Sequence, residues 1–218
     1  MTRLTFRPAR LRWAAALLTI ASLSACAPLV LGGAVGGAFM ATDRRTSGIQ
    51  LEDQTIELKV SNRIKEAIGD QGHINVNAYN RRVLLTGEVP NDADRAAAQQ
   101  AAAAVENVDL VYNELMVSLN SSFSTRANDV LLASKVKATL VDARDIISNA
   151  FSVIVERGDV YIMGLVTERE ANRAAELAAS VKGVNRVVKV MQTISEDELA
   201  RKLPRPANTS GTTGTSAQ

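Results

Sequence analysis

Two parts of the chain repeat one another at a spacing of 77 residues. Residues 83–89 and 160–166 share the pattern Val-x-aliphatic-x-Gly-x-Val. Further matches follow at offsets of 78 and 76, where 93–97 pairs with 171–175 and 105–108 pairs with 181–184. A unit of this length is longer than a solenoid repeat, which depends on its neighbours for a core. The repeat therefore predicts two copies of one small domain.

Each copy contains the same order of predicted elements. In the first copy, apolar residues recur every fourth position and predict a helix from about residue 52 to 68; they are Ile56, Val60, Ile64 and Ile68. Alternating apolar residues then predict strands over 74–79 and 83–89, joined by a turn at Asn80-Arg81. Asn91 or Asp92 caps an alanine-rich helix to about Val105, and residues 108–118 form a third strand.

The second copy predicts the same fold again. Asn128 or Asp129 caps a helix through about Val141, and Thr167 begins another helix that runs to about Lys182. Strands are predicted over 151–156, 160–166 and 184–194. The fold class is therefore α+β, with two tandem αββαβ domains that each pack two helices on a mixed three-stranded sheet. Domains this small bury little surface alone, so we expect the two to pack together.

The N-terminal residues have the pattern of a bacterial lipoprotein signal. Arg3, Arg7, Arg10 and Arg12 precede an uncharged apolar run that ends in Leu23-Ser24-Ala25-Cys26. Small residues before the cysteine fit a signal-peptidase cleft, and the stretch resembles the lipobox consensus. Cleavage before Cys26 would leave its thiol to carry acyl chains such as palmitate. The alternative is an uncleaved membrane helix, since residues 13–42 carry no charge. Pro28 and the following glycines favour a flexible tether instead.

These features predict the domain boundaries. They are a signal peptide over 1–25, a lipidated cysteine and glycine-rich tether over 26–50, a first domain over 51–119, a linker over 120–126, a second domain over 127–195 and a disordered tail over 196–218. The tail contains Pro204-Arg205-Pro206 followed by a run rich in Ser, Thr and Gly. Such a composition buries too little apolar surface to order itself.

Charge and cysteine content argue against a nucleic-acid-binding protein and against a fold held by disulfides. Loss of the four signal-peptide arginines changes the formal net charge from +2 to −2, so the mature chain has no basic surplus. A nucleic-acid partner is therefore not expected. The chain has one cysteine, which the lipid would occupy, so no disulfide within the chain is available.

The residues that commonly carry chemistry do not form a catalytic pattern. His73 is the one histidine, and no metal-ligand spacing or nucleophile motif surrounds it. Gly87 and Gly164 lie inside predicted strands, where glycine marks a bulge or a close backbone approach rather than a phosphate loop. We expect no catalytic residue, no metal, no cofactor and no small-molecule substrate. The aromatic residues Tyr79, Tyr112, Phe151 and Tyr161 are expected in the core or between the domains.

Residues 160–171 resemble a known family. They contain a strand interrupted by a glycine and then the start of a helix. From Cys26 to Ile194 the chain is similar to the dual BON-domain (bacterial OsmY and nodulation) lipoproteins of Gram-negative outer membranes. The resemblance implies a non-catalytic protein that faces the periplasm from a lipid anchor and binds phospholipid or envelope proteins. Such a protein supports outer-membrane integrity. Ala27, where an aspartate would retain the protein at the inner membrane, implies export to the outer membrane.

The resemblance also implies a lipid-contacting site. In these lipoproteins the first helix of the second domain contacts anionic phospholipid, with an aromatic residue after an Asn-Asp pair. Here Leu131 occupies that place, and leucine lacks the ring that favours the membrane interface. Helical geometry groups the candidate lipid-contacting residues, which are Leu131, Ser134, Lys135, Lys137 and Ala138.

Three alternatives to this site and function remain at the level of the sequence. The helix face could be an ordinary solvated surface with one exposed leucine. The protein could be a periplasmic scaffold that binds only other proteins, without lipid recognition. An envelope hydrolase is the third alternative, and the sequence offers no set of convergent polar residues for it.

Overall fold

The computed structural model describes residues 43–202, which belong to one compact unit. Cys26, the predicted signal peptide, most of the predicted tether and residues 203–218 lie outside the described residues. The first domain consists of α1 (Ser47–Ile68), β1 (His73–Tyr79), β2 (Arg82–Val89), α2 (Asp92–Ala103), β3 (Leu110–Asn113) and β4 (Met116–Val117). The second consists of α3 (Phe123–Asp142), a 3-10 turn (Ser148–Ala150), β5 (Phe151–Glu156), β6 (Asp159–Val166), α4 (Glu168–Ala179), β7 (Arg186–Lys189) and β8 (Gln192–Thr193). A short helix, α5 (Glu196–Lys202), follows.

The first helix of each domain begins earlier than its apolar pattern predicts. The Thr46 hydroxyl accepts the Ile49 N–H and caps α1, so this helix begins at Ser47 rather than near residue 52. In the second domain the Ser122 hydroxyl caps α3 by accepting the Thr125 N–H. The predicted caps Asn128 and Asp129 are therefore wrong, because both residues lie inside α3. Most of the predicted linker over 120–126 forms the first turn of that helix.

The second helices begin where the sequence predicts. The Asn91 side chain accepts the Asp94 N–H and caps α2. Thr167 and Glu170 form a reciprocal capping box at the start of α4. Buried alanines line the side of each helix that packs on its sheet: Ala98 and Ala102 on α2, and Ala171, Ala174 and Ala178 on α4. Short side chains let both helices lie close to the strands.

Each domain has a mixed sheet with three strand positions, as predicted. In the first sheet β1 pairs antiparallel with β2, while β3 and β4 both pair parallel with β2. The second sheet repeats this topology, with β6 at its centre. The predicted third strand of each domain is divided into two short strands that keep one register. The α+β class and the two tandem domains are confirmed.

The two strand glycines allow a close backbone approach. A Cβ placed on Gly87 would lie 1.9 Å from the His73 carbonyl oxygen, and Gly87 has a φ of 111°. A Cβ on Gly164 would lie 2.6 Å from the Ala150 carbonyl oxygen. Larger residues at either position would push the neighbouring backbone away, so the prediction of close approach is confirmed.

Three apolar clusters hold the described residues together. Within each domain the helices pack on one face of the sheet, with Val83 and Leu85 of β2 in the first core and Val160 and Ile162 of β6 in the second. The third cluster joins the domains through the opposite sheet faces. Its members are Tyr79, Leu84, Tyr161, Met163, Leu165, Val190, Ile194 and Leu199, with Tyr112, Ile154 and Val188 at its edge. The two sheets therefore pack face to face, and the expected packing of the domains is confirmed.

The prediction of a disordered tail is wrong for residues 196–202. They form α5, whose first turn is fixed by a hydrogen bond from the Glu198 N–H to the Ser195 hydroxyl. Leu199 is buried in the cluster between the domains. Burial of this one leucine supplies the apolar contact that the sequence pattern did not reveal.

Candidate functional site

Helix α3 is fixed to the second domain by its buried side. Leu132, Val136 and Leu140 face the core, and Asp129 is buried beside them. The Asp129 carboxylate accepts two backbone hydrogen bonds of 2.9 Å, from the amides of Arg157 and Gly158 in the turn between β5 and β6. These contacts set which side of α3 faces outward.

The outward side of α3 is largely apolar. At 3.6 residues per turn, one exposed arc contains seven residues, which we call the α3 face: Phe123, Ala127, Val130, Leu131, Ser134, Ala138 and Val141. Phe123 is 82% exposed and Leu131 is 61% exposed. Single exposed apolar residues are common, whereas a continuous apolar arc along a helix is a feature typical of interaction surfaces.

Cationic side chains lie on both borders of the α3 face. Lys135 and Lys137 are exposed on opposite sides of the arc, and Arg126 lies near Lys137 on the helical projection. None of the three forms a salt bridge with another residue in the described part of the chain. The acidic residue on the exposed side of α3 is Asp142, at the C-terminal end. The face is thus apolar along its centre and positive at its edges.

The structure brings the five predicted residues to one exposed side of α3, and it adds four that sequence reasoning missed. Leu131, Ser134 and Ala138 lie on the α3 face, and the two lysines border it. The missed residues are Phe123, Ala127, Val130 and Val141. Phe123 supplies an aromatic ring about two helical turns before Leu131, although the sequence pattern placed it in a linker. The serine pair before it and the i, i+7 spacing of Phe123 and Val130 were the signals available.

Other candidate features do not form a site in the described residues. His73 is partly buried at the start of β1. Across residues 43–202, no group of three or more His, Cys, Asp or Glu side chains is arranged to hold a metal ion. Over the same range, no helix combines the length and the apolar composition needed to cross a bilayer.

Two carboxyl groups, on Glu88 and Glu156, accept hydrogen bonds across the contact between the domains. Glu88 is fully buried, and its Oε1 accepts a 3.3 Å hydrogen bond from Arg157. Glu156 accepts a 2.9 Å hydrogen bond from the Asn75 side chain. Burial raises the pKa of Glu156, and the nearby carboxylates of Glu88 and Asp129 raise it further.

Comparisons with known proteins agree with this architecture. The family model of the BON domain matches residues 52–118 and 128–194. The chain is 41% identical over 173 residues to the outer membrane lipoprotein DolP of Haemophilus influenzae, an alignment that covers 78% of this chain and 89% of that protein. It is 32% identical over 154 residues to the 21 kDa hemolysin of Actinobacillus pleuropneumoniae, covering 70% of this chain and 79% of that protein.

A solved structure also shows partial similarity. The C-terminal domain of CdsD, the structural protein of the type III secretion system of Chlamydia trachomatis, aligns with a TM-score of 0.28 and 11% identity. The alignment covers 62% of this chain and 96% of that domain. A TM-score this low supports no statement about fold or function. The family match, which covers both halves of the repeat, is sufficient by itself: this chain belongs to the BON-domain family and contains two copies of the domain.

Proposed function

We propose that this chain is an outer-membrane lipoprotein, anchored by acyl chains on Cys26 and facing the periplasm, whose α3 face binds anionic phospholipid. Its role is non-catalytic support of outer-membrane integrity, together with envelope protein partners. The 41% identity to an outer membrane lipoprotein and the pattern of residues 23–26 support the anchor. The observation that carries the lipid contact is the exposed apolar arc of α3 with lysines on both borders.

The α3 face has the chemistry of a membrane-surface helix. Apolar side chains along its centre can enter the boundary between headgroups and acyl chains, while cations at its edges meet phosphate groups. Phe123 supplies a ring of the kind that favours this interface. Each lysine near an anionic leaflet contributes about 1 kcal/mol.

A lipid anchor and a weak surface contact serve different purposes. Acyl chains hold a protein on a bilayer without choosing among lipids, and a second signal adds affinity and selectivity. The tether before residue 43 would let the two domains reach the leaflet that holds the anchor. The contact through α3 would then select regions rich in anionic phospholipid.

Vesicle flotation tests the lipid contact. The unacylated mature chain, residues 26–218 with Cys26→Ser, is mixed with vesicles of phosphatidylglycerol and phosphatidylethanolamine or with neutral phosphatidylcholine vesicles. We expect Lys135→Ala with Lys137→Ala to weaken binding to the anionic vesicles by roughly 30-fold, because two lysines contribute about 2 kcal/mol. Phe123→Ser should weaken binding to the same vesicles.

Helix α1 provides matched controls, since it occupies the equivalent position in the first domain. Leu58 is 68% exposed on α1, and Leu58→Ser changes a similar apolar residue outside the α3 face. Lys59→Ala with Lys65→Ala removes the same charge from α1. If the α1 and α3 variants bind anionic vesicles equally well, the lipid contact through α3 is refuted, and a scaffold that binds only proteins becomes the better interpretation.

A further inference from the structure

The two domains differ at the outer edge of their hairpins. In the first domain, the Glu57 side chain on α1 accepts the Ala78 N–H of β1 at 2.8 Å. Ala78 pairs with Val83, and the equivalent pair in the second domain is Val155 with Val160. Asp53 and Asp129 bind the two hairpin turns in the same way, so the residue equivalent to Glu57 is four positions after Asp129. That residue is Ala133, which cannot accept a hydrogen bond from β5.

Edge strand β5 therefore presents unpaired backbone groups. Val153 and Val155 lie opposite Ile162 and Val160, whose backbone groups are directed toward β7; the Ile162 carbonyl accepts the Val190 N–H at 2.9 Å. In an antiparallel hairpin the opposite residues then direct their own N–H and C=O groups outward. An edge with free donors and acceptors can pair with another extended chain.

A groove of about 400 Å³ runs along this edge, and we call it the β5 groove. Arg126, Asp129, Val130 and Ala133 of α3 form one side, residues 153–156 form the strand side, and His73 and Asn75 of the first domain form the far end. Because α3 and the first domain bound the groove as well as β5, a single extended segment fits it better than the edge of another folded sheet. Peptides that add a strand in this way gain affinity from the main chain and specificity from side chains.

The charges of the groove favour a basic occupant. Its lining contains two carboxyl groups, on Asp129 and Glu156, and one guanidinium group, on Arg126. Asp129 is already occupied by the two turn amides, whereas Glu156 has the Asn75 amide as its hydrogen-bond donor. Fully buried Glu88 lies near Glu156, and Arg157 binds its Oε1 while its Oε2 has no hydrogen-bond partner. A lysine or arginine side chain beside Glu156 would offset this excess of negative charge.

We propose that the β5 groove binds one extended peptide segment of a partner protein, which pairs with Val153 and Val155 and places a basic side chain beside Glu156. This site overlaps the α3 face at Val130, with Arg126 at the shared border, but β5, Ala133 and Glu156 lie outside that face. The proposal therefore goes beyond the lipid contact proposed above.

A peptide titration tests the proposal. The probes are three fluorescein-labelled peptides, Thr-Val-Xaa-Val-Thr-Val-Thr, in which Xaa is lysine, serine or glutamate, and the protein is the unacylated mature chain. The lysine peptide should bind most tightly and the glutamate peptide least. Binding should also slow hydrogen exchange of the Val153 and Val155 amides, measured by NMR, since those amides become hydrogen-bonded.

Ala133→Gln provides the decisive variant, because it introduces an uncharged acceptor where the first domain has Glu57. We expect it to weaken binding of the lysine peptide by at least about tenfold, which is the effect of roughly one lost hydrogen bond. Ala127→Gln places the same side chain on α3 outside the groove and should leave peptide binding unchanged.

Three results would overturn the proposal. The first is no peptide binding up to about 1 mM. The others are equal binding by the wild type and Ala133→Gln, and equal binding of the lysine and glutamate peptides. The vesicle assay separates this proposal from the lipid contact. Ala133→Gln should still bind anionic vesicles, and Phe123→Ser should still bind the peptide.

Discussion

Asp53 and Asp129 are buried acids that each complete a β-hairpin turn. Asp53 accepts the amides of Asn80 and Arg81 at 2.8 Å, as Asp129 accepts those of Arg157 and Gly158. All four turn residues have positive φ, as a two-residue hairpin of the type I′ class requires. In each turn this geometry directs two successive amides toward one carboxylate. A single residue on the helix therefore fixes the helix, the turn and the register together.

Asp129→Ala should destabilise the second domain by about 2–4 kcal/mol, because two buried amides lose a charged acceptor. Urea unfolding followed by circular dichroism measures the change. Asp142→Ala at the exposed end of the same helix is the control and should shift stability by less than about 0.5 kcal/mol. Equal stability of the two variants would show that the turn amides are satisfied by water.

Arg44 and Glu170 form a buried ion pair, and it connects the segment before α1 to the second domain. Two hydrogen bonds of 2.7 Å join the guanidinium to the carboxylate, and Arg44 also donates to the Leu165 carbonyl. Burial alone would raise the pKa of Glu170, but the hydrogen bonds from Arg44 and Thr167 outweigh it and lower the pKa below 4.5.

Glu170→Gln should cost about 3 kcal/mol at pH 7, because Arg44 stays buried without its counterion. A lowered pKa stabilises the fold above the ordinary value of 4.5, and this stabilisation is lost as pH falls through the lowered value. The difference between wild type and variant should therefore shrink below pH 4.5. Urea denaturation at several pH values measures it, with exposed Glu176→Gln as the control. A difference that stays constant from neutral to acid pH would refute the ion-pair interpretation.

The central strands β2 and β6 restrict which residue can stand at one position near their ends. β2 and β6 are each buried on both faces, because helices cover one face and the other domain covers the second. Gly87 and Gly164 lie near the end of these strands, where the preceding chain passes close to them. The third strand of each domain is interrupted opposite the same glycines, at Leu115 and Met191.

Gly87→Ala should destabilise the fold more than Gly164→Ala. At Gly87 the new Cβ would meet the His73 carbonyl at 1.9 Å with φ at 111°, so both the contact and the backbone conformation are unfavourable. At Gly164 the corresponding distance is 2.6 Å, and φ is not in the positive region. We expect losses of about 4 and 2 kcal/mol, consistent with the larger effects of strained substitutions. Thermal unfolding compares the two variants, and the reverse order would contradict the assignment.

At the scale of the molecule, the cluster between the sheets joins the two domains through a shared apolar contact. Leu84 faces this cluster, while its neighbour Leu85 faces the core of the first domain; both are fully buried. Tyr79 and Tyr161 belong to the same cluster, and burial raises the pKa of each to about 12, so both phenols stay neutral at physiological pH.

The wild type should unfold in one calorimetric transition, with the calorimetric enthalpy equal to the van't Hoff enthalpy. Leu84→Ala should cost about 2–5 kcal/mol and separate the transitions of the two domains. Leu85→Ala removes the same atoms from the other face, so it should lower the melting temperature while keeping one transition. Two transitions in the wild type would show that the domains fold independently.

Much of each domain follows from its sequence. The repeat gave the number of domains, period-two and period-four apolar spacing gave the type and order of the elements, and Asn91 and Thr167 marked the starts of α2 and α4. These properties depend on residues a few positions apart, so a linear pattern records them. The continuous apolar run of β6 was also a signal of burial on both faces.

What only the tertiary structure decided involves residues far apart in the chain. Asp129 is a residue type that often caps a helix, but here it binds a turn that begins 28 residues later, and Arg44 pairs with a glutamate 126 residues away. Phe123 joined the α3 face because Ser122 capped the helix early, and the β5 groove exists because Ala133 stands where the other domain has Glu57. A sequence pattern records which side chains can be buried or paired; only folding brings their distant partners within hydrogen-bond and van der Waals range.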